Sequence, residues 1–245
     1  SLKIYKEHFS QNHVGIARAL AYLGIIYRGL GNHKKAKSLL EQSLKIYKEH
    51  FSQNHVGIAR ALTYLGIVHK ELGNLEKAKS FLEESLKIYK EHVPENHIGA
   101  TKALVYLGIV YRELENHEMA KNLLEKSFVT CARNYGEDHI VTARVIRNLG
   151  QVFLQEDYIE IAENFISKAL KAFKQNKHPE YYKALENLAE IYLKKSLQTA
   201  EIKQSEQYKE KAKDYLNQAL EIVKNHFPKD SPHIVRIQEK INCNN

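Results

Sequence analysis

Apolar residues recur along this chain at helical intervals, and the intervals themselves recur. Ile16, Leu20, Leu23 and Tyr27 fall three or four apart, as on one face of an amphipathic helix. Ala36, Leu39, Leu40, Ser43, Ile46 and Tyr47 form a second such face after a break at Gly31-Asn32. Gly31 tolerates the left-handed backbone that ends a helix, and Asn32 offers a side-chain oxygen to the open amides of the next. The same punctuation returns as Gly73-Asn74, Glu115-Asn116 and Glu156-Asp157. Asn12, Asn54, Asn96 and Asp138 are expected to cap the first helix of each following pair.

The helix pairs repeat with a period of 42 residues. Residues 1–20 recur letter for letter at 43–62, and Tyr22-Leu23-Gly24-Ile25 returns as Tyr64-Leu65-Gly66-Ile67 and Tyr106-Leu107-Gly108-Ile109. A fixed period of this size indicates a solenoid, in which each unit buries its apolar face against its neighbours. Composition agrees: 4 prolines, no tryptophan and many Leu, Lys, Glu and Ala favour helix over sheet.

Large and small positions alternate in register. Repeat one reads Leu20, Leu23-Gly24, Tyr27, Ala36, Leu40, Ser43, and repeat two Leu62, Leu65-Gly66, His69, Ala78, Leu82, Ser85. Repeat three reads Leu104, Leu107-Gly108, Tyr111, Ala120, Leu124, Ser127, and repeat four Ile146, Leu149-Gly150, Phe153, Ala162, Ile166, Ala169. Repeat five reads Leu185, Leu188-Ala189, Tyr192, Ala212, Leu216, Ala219. This pattern resembles the tetratricopeptide repeat, and the 42-residue period with its Asn-x-His or Asp-His entry is similar to the kinesin-light-chain subtype. The resemblance implies an all-α fold, a right-handed superhelical solenoid of antiparallel helix pairs. Gly24 and Ala36 are then small where two helices cross, so that the backbones approach closely.

The expected organisation is a partial repeat at 1–9, then repeats at 10–51, 52–93, 94–135, 136–177 and 178–229, and a C-terminal capping helix within 230–245. In repeat five, residues 194–205 read as a lengthened connection between the two helices. The chain begins in mid-repeat and without Met, as a piece of a longer array would.

Composition then narrows the function. The formal charge of +8 suits acidic partners. Cys131 and Cys243 are far apart and form no motif, and no stretch is apolar enough to cross a membrane. Together these lead to the default expectation of a cytoplasmic protein. His8, His50 and His92 recur at the repeat interval, as do His13, His55, His97 and His139. Stacked equivalents lie a helix spacing apart, too far to share a metal, so they are assigned to the inter-repeat turns. No phosphate loop, HExxH or GxSxG is present, and the carboxylates are interleaved with lysines as on a solvated helix face. The chain is therefore read as a non-enzyme without cofactor or metal.

In a tetratricopeptide array the first helices line an inner groove. Opposite the packing face of each first helix lie three rows. One is basic: Arg18, Arg60, Lys102, Arg144 and Lys183. The second is Tyr22, Tyr64 and Tyr106, changing to Asn148 and Asn187; the third is Ile25, Ile67 and Ile109, changing to Gln151 and Glu190. Lys70, Arg112 and Arg147 lie at the margins. Arg binds carboxylates with charge-assisted bonds, and Tyr and Arg are enriched at binding hot spots. The expected function is a protein-interaction scaffold that takes an acidic and apolar peptide segment of a partner in this groove. The alternatives are a structural spacer or self-association segment with no groove ligand, and nucleic-acid binding through the basic row. The kinesin-light-chain family carries paired Asn in its groove for the ligand backbone. Here Ala21-Tyr22, Thr63-Tyr64 and Val105-Tyr106 stand in those places, and only Asn148 and Asn187 keep the second Asn.

Overall fold

The computed structural model describes residues 13–50, 55–94, 96–229 and 231–243. The expected partial repeat at 1–9 and the expected caps Asn12 and Asn54 lie outside them. The described residues form helices joined by short turns, with no strand among them. In chain order these are α1 (His13–Gly29), α2 (His33–His50), α3 (Val56–Glu71), α4 (Leu75–His92), α5 (Ile98–Glu113), α6 (His117–Tyr135), α7 (Ile140–Gln155), α8 (Ile159–Gln175), α9 (Tyr181–Gln198), α10 (Ile202–His226) and α11 (Pro232–Cys243). Contacts divide them into two units that part within α6, one up to Ser127 and one from Phe128 on. In the first unit α1 pairs with α2 and α3 with α4, and each pair packs on the next first helix. In the second, α7 pairs with α8 and α9 with α10, and α11 closes against α10.

The turn inside each pair is set by backbone chemistry. Gly31 and Gly73 both hold φ 77°. The Asn32 amide returns to the Tyr27 carbonyl at 2.9 Å and the Gly31 amide to Arg28 at 3.0 Å, which satisfies the open carbonyls of α1. Glu115 and Asp157 adopt the same left-handed conformation at φ 61° without the freedom of glycine. Asn32 then caps α2 through Oδ1, which accepts from Lys35 N at 3.1 Å, and Asn116 does the same for Met119 N in α6.

The first helices begin differently from the expectation. His97 and His139, rather than Asn96 and Asp138, are the caps of α5 and α7, and His55 caps α3. In each, the imidazole Nδ1 accepts from the amide two residues on, Gly57, Gly99 or Val141, at 3.0, 3.1 and 3.2 Å. Nδ1 stands the same number of bonds from Cα as the Oδ1 of asparagine, which is why the ring serves. The ring also has a packing partner. His55, His97 and His139 lie against Tyr47, Tyr89 and Tyr135, with centroids 5.5, 5.3 and 4.9 Å apart. A Cβ at Gly57 would come within 2.5 Å of the Tyr47 ring and one at Gly99 within 2.5 Å of the Tyr89 hydroxyl, so each glycine makes room for its tyrosine.

The core repeats one crossing. A Cβ at Gly24 would stand 2.7 Å from Leu40 Cγ and 3.2 Å from the Ala36 carbonyl oxygen. Gly66 meets Leu82 and Ala78 in the same way, Gly108 meets Leu124 and Ala120, and Gly150 meets Ile166 and Ala162. Ala36, Ala78, Ala120 and Ala162 are fully buried. Across the crossing, Ser43 Oγ donates to the Ala17 carbonyl at 2.6 Å and Ser85 Oγ to Ala59 at 2.7 Å. Repeat five carries Ala189 at the glycine place, so a methyl is housed there.

Residues 194–205 are not a long loop. Helix α9 runs on to Gln198 and α10 starts at Ile202, so the added residues lengthen both helices. The extension holds itself together: Ser205 Oγ donates to the Ser196 carbonyl at 2.8 Å, and Tyr208 packs on Tyr192 at 5.8 Å. With neither Gly nor Pro in this stretch, nothing stops either helix earlier. The last helix, α11, packs on α10 with Ile237 fully buried.

Gly66→Leu should cost about 1–3 kcal/mol in a denaturant melt, because the Leu82 side chain and the Ala78 carbonyl leave no room at the crossing. His97→Ala should cost about 0.5–2 kcal/mol by removing the α5 cap, while His97→Asn restores most of the loss.

Candidate functional site

In the first unit, α1, α3 and α5 stand side by side, and the predicted rows meet as pairs. The Arg60 guanidinium lies over the Tyr22 ring at 5.7 Å. One repeat on, the Lys102 ammonium lies over the Tyr64 ring at 5.0 Å and donates to its hydroxyl at 2.8 Å. The basic row and the tyrosine row are thus one ladder, each cation reaching back to the tyrosine of the preceding repeat. At the C-terminal ends of the same helices, Arg28 pairs with Glu71 at 3.5 Å and Lys70 with Glu113 at 2.9 Å, while Arg112 lies 3.5 Å from Glu113. Lys70 and Arg112 are therefore engaged along the ladder rather than projecting from it.

Exposure sorts the rest. Arg18 is exposed and Tyr22 is 51% exposed, while Ile25, Arg60, Tyr64, Lys102 and Tyr106 are half-buried. Ile67 is 0% exposed and Ile109 is buried, so both are corrected from ligand-facing to packing positions.

The second unit has a more closed face. Asn148 is buried and donates from Nδ2 to the Arg144 carbonyl at 2.7 Å. Arg147 Nη1 donates to Gln151 at 3.1 Å and to Asn187 Oδ1 at 3.3 Å. Arg144 and Lys183 both converge on Glu180, whose carboxyl is held down to about 2: burial opposes ionisation, and the two cations outweigh it. Buried Glu186 takes Arg236 at 2.7 Å and Lys240 at 3.3 Å from the capping helix. Asn148 and Asn187 thus spend their side chains within the fold, which corrects their assignment as ligand-binding residues.

Sequence reasoning missed a further cluster on the second unit. Tyr192 donates to Glu163, which also takes Lys195, and Lys211 donates to the Tyr192 hydroxyl at 2.7 Å. Burial and the Glu163 bond push the Tyr192 phenol up to about 12. The residues come from α8, α9 and α10, and no linear spacing announces their meeting. Among the described residues no group of three or more His, Cys, Asp or Glu is placed to hold a metal. No helix there is long and apolar enough to cross a membrane.

Comparison with known proteins agrees with this architecture. The family profile for the tetratricopeptide repeat matches residues 1–49, 15–91 and 100–175. No curated protein matches the sequence. Among solved structures, the chain is similar to BtubC (BKLC) from P. vanneervenii, at 20% identity and TM-score 0.67, over 94% of this chain and 89% of that one. It is similar to a putative kinesin light chain with nearly identical TPR-like repeats from Podosopora anserina, at 18% identity and TM-score 0.62, over 89% and 100%. It is also similar to the apo form of RapI, at 15% identity and TM-score 0.67, over 98% and 86%. These likenesses establish the fold.

Three histidines couple the units to pH. Burial lowers His69, His178 and His233 below the ordinary 6.5, helped by Lys37 and Lys77 at His69, by Arg144 at His178 and by Arg236 at His233. As pH falls below about 6.5 the unfolded imidazoles take protons that the folded ones refuse, so stability drops with falling pH. His178 also accepts from the Glu180 amide through Nδ1 at 3.2 Å, a bond that protonation removes. The melting temperature should therefore fall between about pH 7.5 and about pH 5.5, and His178→Asn, which keeps a cap acceptor without a titrating ring, should flatten that slope.

Proposed function

This chain belongs to the tetratricopeptide repeat family, and on that premise we propose that it is an interaction scaffold whose first-helix face captures an extended acidic segment of a partner protein. The observation that carries the reading is the cation–tyrosine ladder of the first unit, Tyr22–Arg60 and Tyr64–Lys102. Each rung keeps its cation near the surface and holds it in place with an aromatic face, which reduces the side-chain entropy a ligand must freeze out. Arg18, Arg28, Arg60, Lys70, Lys102 and Arg112 stand on this face against the carboxylates of Glu71 and Glu113, so an incoming carboxylate meets net positive charge. Half-buried Ile25 and exposed Tyr22 supply the apolar contacts.

Spacing sets what the ligand looks like. Packed helix axes stand about 8–10 Å apart and an extended chain advances about 3.3 Å per residue, so successive rungs address about every third ligand residue. The preferred segment carries Asp or Glu at that interval, with apolar residues between them. The second unit contributes less, because Arg144, Arg147 and Asn187 are already bound to groups of the fold.

The test of capture is a displayed peptide library selected on the intact chain at near-physiological salt. Wild type should enrich segments with acidic residues at every third position, and Arg60→Glu with Lys102→Glu should weaken those peptides by about tenfold or more. Equal binding by wild type and the double variant, with circular dichroism unchanged, would place the ligand elsewhere.

A further inference from the structure

The row Tyr27, His69, Tyr111, Phe153, Tyr192 has one short member. In repeat three the Tyr111 hydroxyl reaches back to Glu83 of the preceding repeat at 2.9 Å, and Lys79 lies over its ring at 5.2 Å. In repeat five Tyr192 also donates to a carboxylate of the preceding repeat, Glu163, which stands at the place of Lys79 rather than of Glu83. One period before Glu83 and Lys79 stand Glu41 and Lys37, but the side chain facing them is His69. The imidazole is a hydroxyphenyl ring cut short, and a cleft of about 230 Å³ opens in its place. That is many times the ~10–15 Å³ a single water needs. Its lining is Lys37 and Glu41 from α2, His69 from α3, and Lys77, Ser80 and Phe81 from α4, all in the first unit.

The chemistry of that lining is specific. His69 is buried and packs on Phe81 at 5.3 Å, yet its Nδ1 has no hydrogen-bond partner among the described residues. Lys37 and Lys77 bring two ammonium groups, and Ser80 a hydroxyl. Glu41, 3.7 Å from Lys37, is the counterpart of Glu83, the acceptor that the Tyr111 hydroxyl satisfies in repeat three. An occupant that carries negative charge for the lysines and a proton for Glu41 matches this lining.

We propose that the cleft binds a protonated phosphate group, with Lys37 and Lys77 neutralising its charge, Ser80 and His69 bonding its oxygens, and Glu41 accepting its remaining proton. Inorganic phosphate near neutral pH retains at least one proton, and a phosphomonoester retains one below its second pKa of about 6, whereas sulfate has none to give, so Glu41 selects between anions of the same shape. The lysines and burial already hold His69 below its ordinary value, and a bound anion moves it back up. The group arrives either as free phosphate or as a phosphomonoester on another molecule.

The experiment is a titration of the intact chain at about pH 6, where both phosphate ligands carry a proton, with inorganic phosphate, O-phosphoserine amide and sulfate, read from the His69 ring resonance. That resonance is assigned by its loss in His69→Tyr, a variant that installs the side chain found at positions 27, 111 and 192. A saturable shift with phosphate or the phosphoserine, weakened about tenfold in Lys77→Gln and absent with sulfate, supports the site. The tighter of the two phosphate ligands identifies the source. Glu41→Gln should let sulfate bind about as well as phosphate. No saturable shift with either ligand, equal binding of sulfate by wild type, or affinity unchanged in Lys77→Gln would each overturn the assignment.

Discussion

Everything in this protein rests on how closely two helix backbones approach at a glycine. At Gly24, Gly66, Gly108 and Gly150 no Cβ fits against the facing Leu or Ile without displacement, and the next helix's alanine carbonyl lies just beyond it. Close approach lets one branched side chain fill the crossing, with the fully buried alanine beside it. It also brings Ser43 and Ser85 within reach of carbonyls on the partner helix, which satisfies hydroxyls that would otherwise be buried at a cost. Because the crossing recurs every 42 residues, each pair presents the same surface to the next, and one local solution propagates.

The ends of the helices carry the second layer of order. A glycine or a strained Glu or Asp turns the chain inside each of the first four pairs, and at α3, α5 and α7 a histidine starts the pair while packing on a tyrosine of the helix before it. The histidines are thus structural parts with two contacts each. Their recurrence comes from the turn they build. Where a histidine instead replaces the long aromatic of the row, at His69, the same residue type leaves a space rather than filling one.

Charge is distributed by the same geometry. Side chains on adjacent first helices lie close enough to pair, so most of the inner-face cations have a tyrosine or carboxylate to meet. Surface pairs of this kind contribute little stability. They fix where charge sits, and in the first unit the outcome is a ladder with positive excess. In the second, Glu180 and Glu186 absorb the cations of their neighbours, and Glu186 anchors the capping helix.

The sequence alone determined the all-α repeat fold, the large–small alternation at the crossings and the left-handed turn glycines, because each depends on residues within one period. It also marked the three inner rows by helical spacing. It could not show that Arg60 and Lys102 lean on the tyrosines before them, that Ile67 is covered, or that Asn148 turns back to its own helix. Those outcomes depend on distances between repeats, which periodicity does not encode. Nor did it show that residues 194–205 lengthen two helices, since a count of added residues is the same for a loop and for a helical extension. The repeat specified which residues are equivalent; the tertiary structure decided which equivalents are spent on the fold and which stay exposed, because burial depends on distances between repeats.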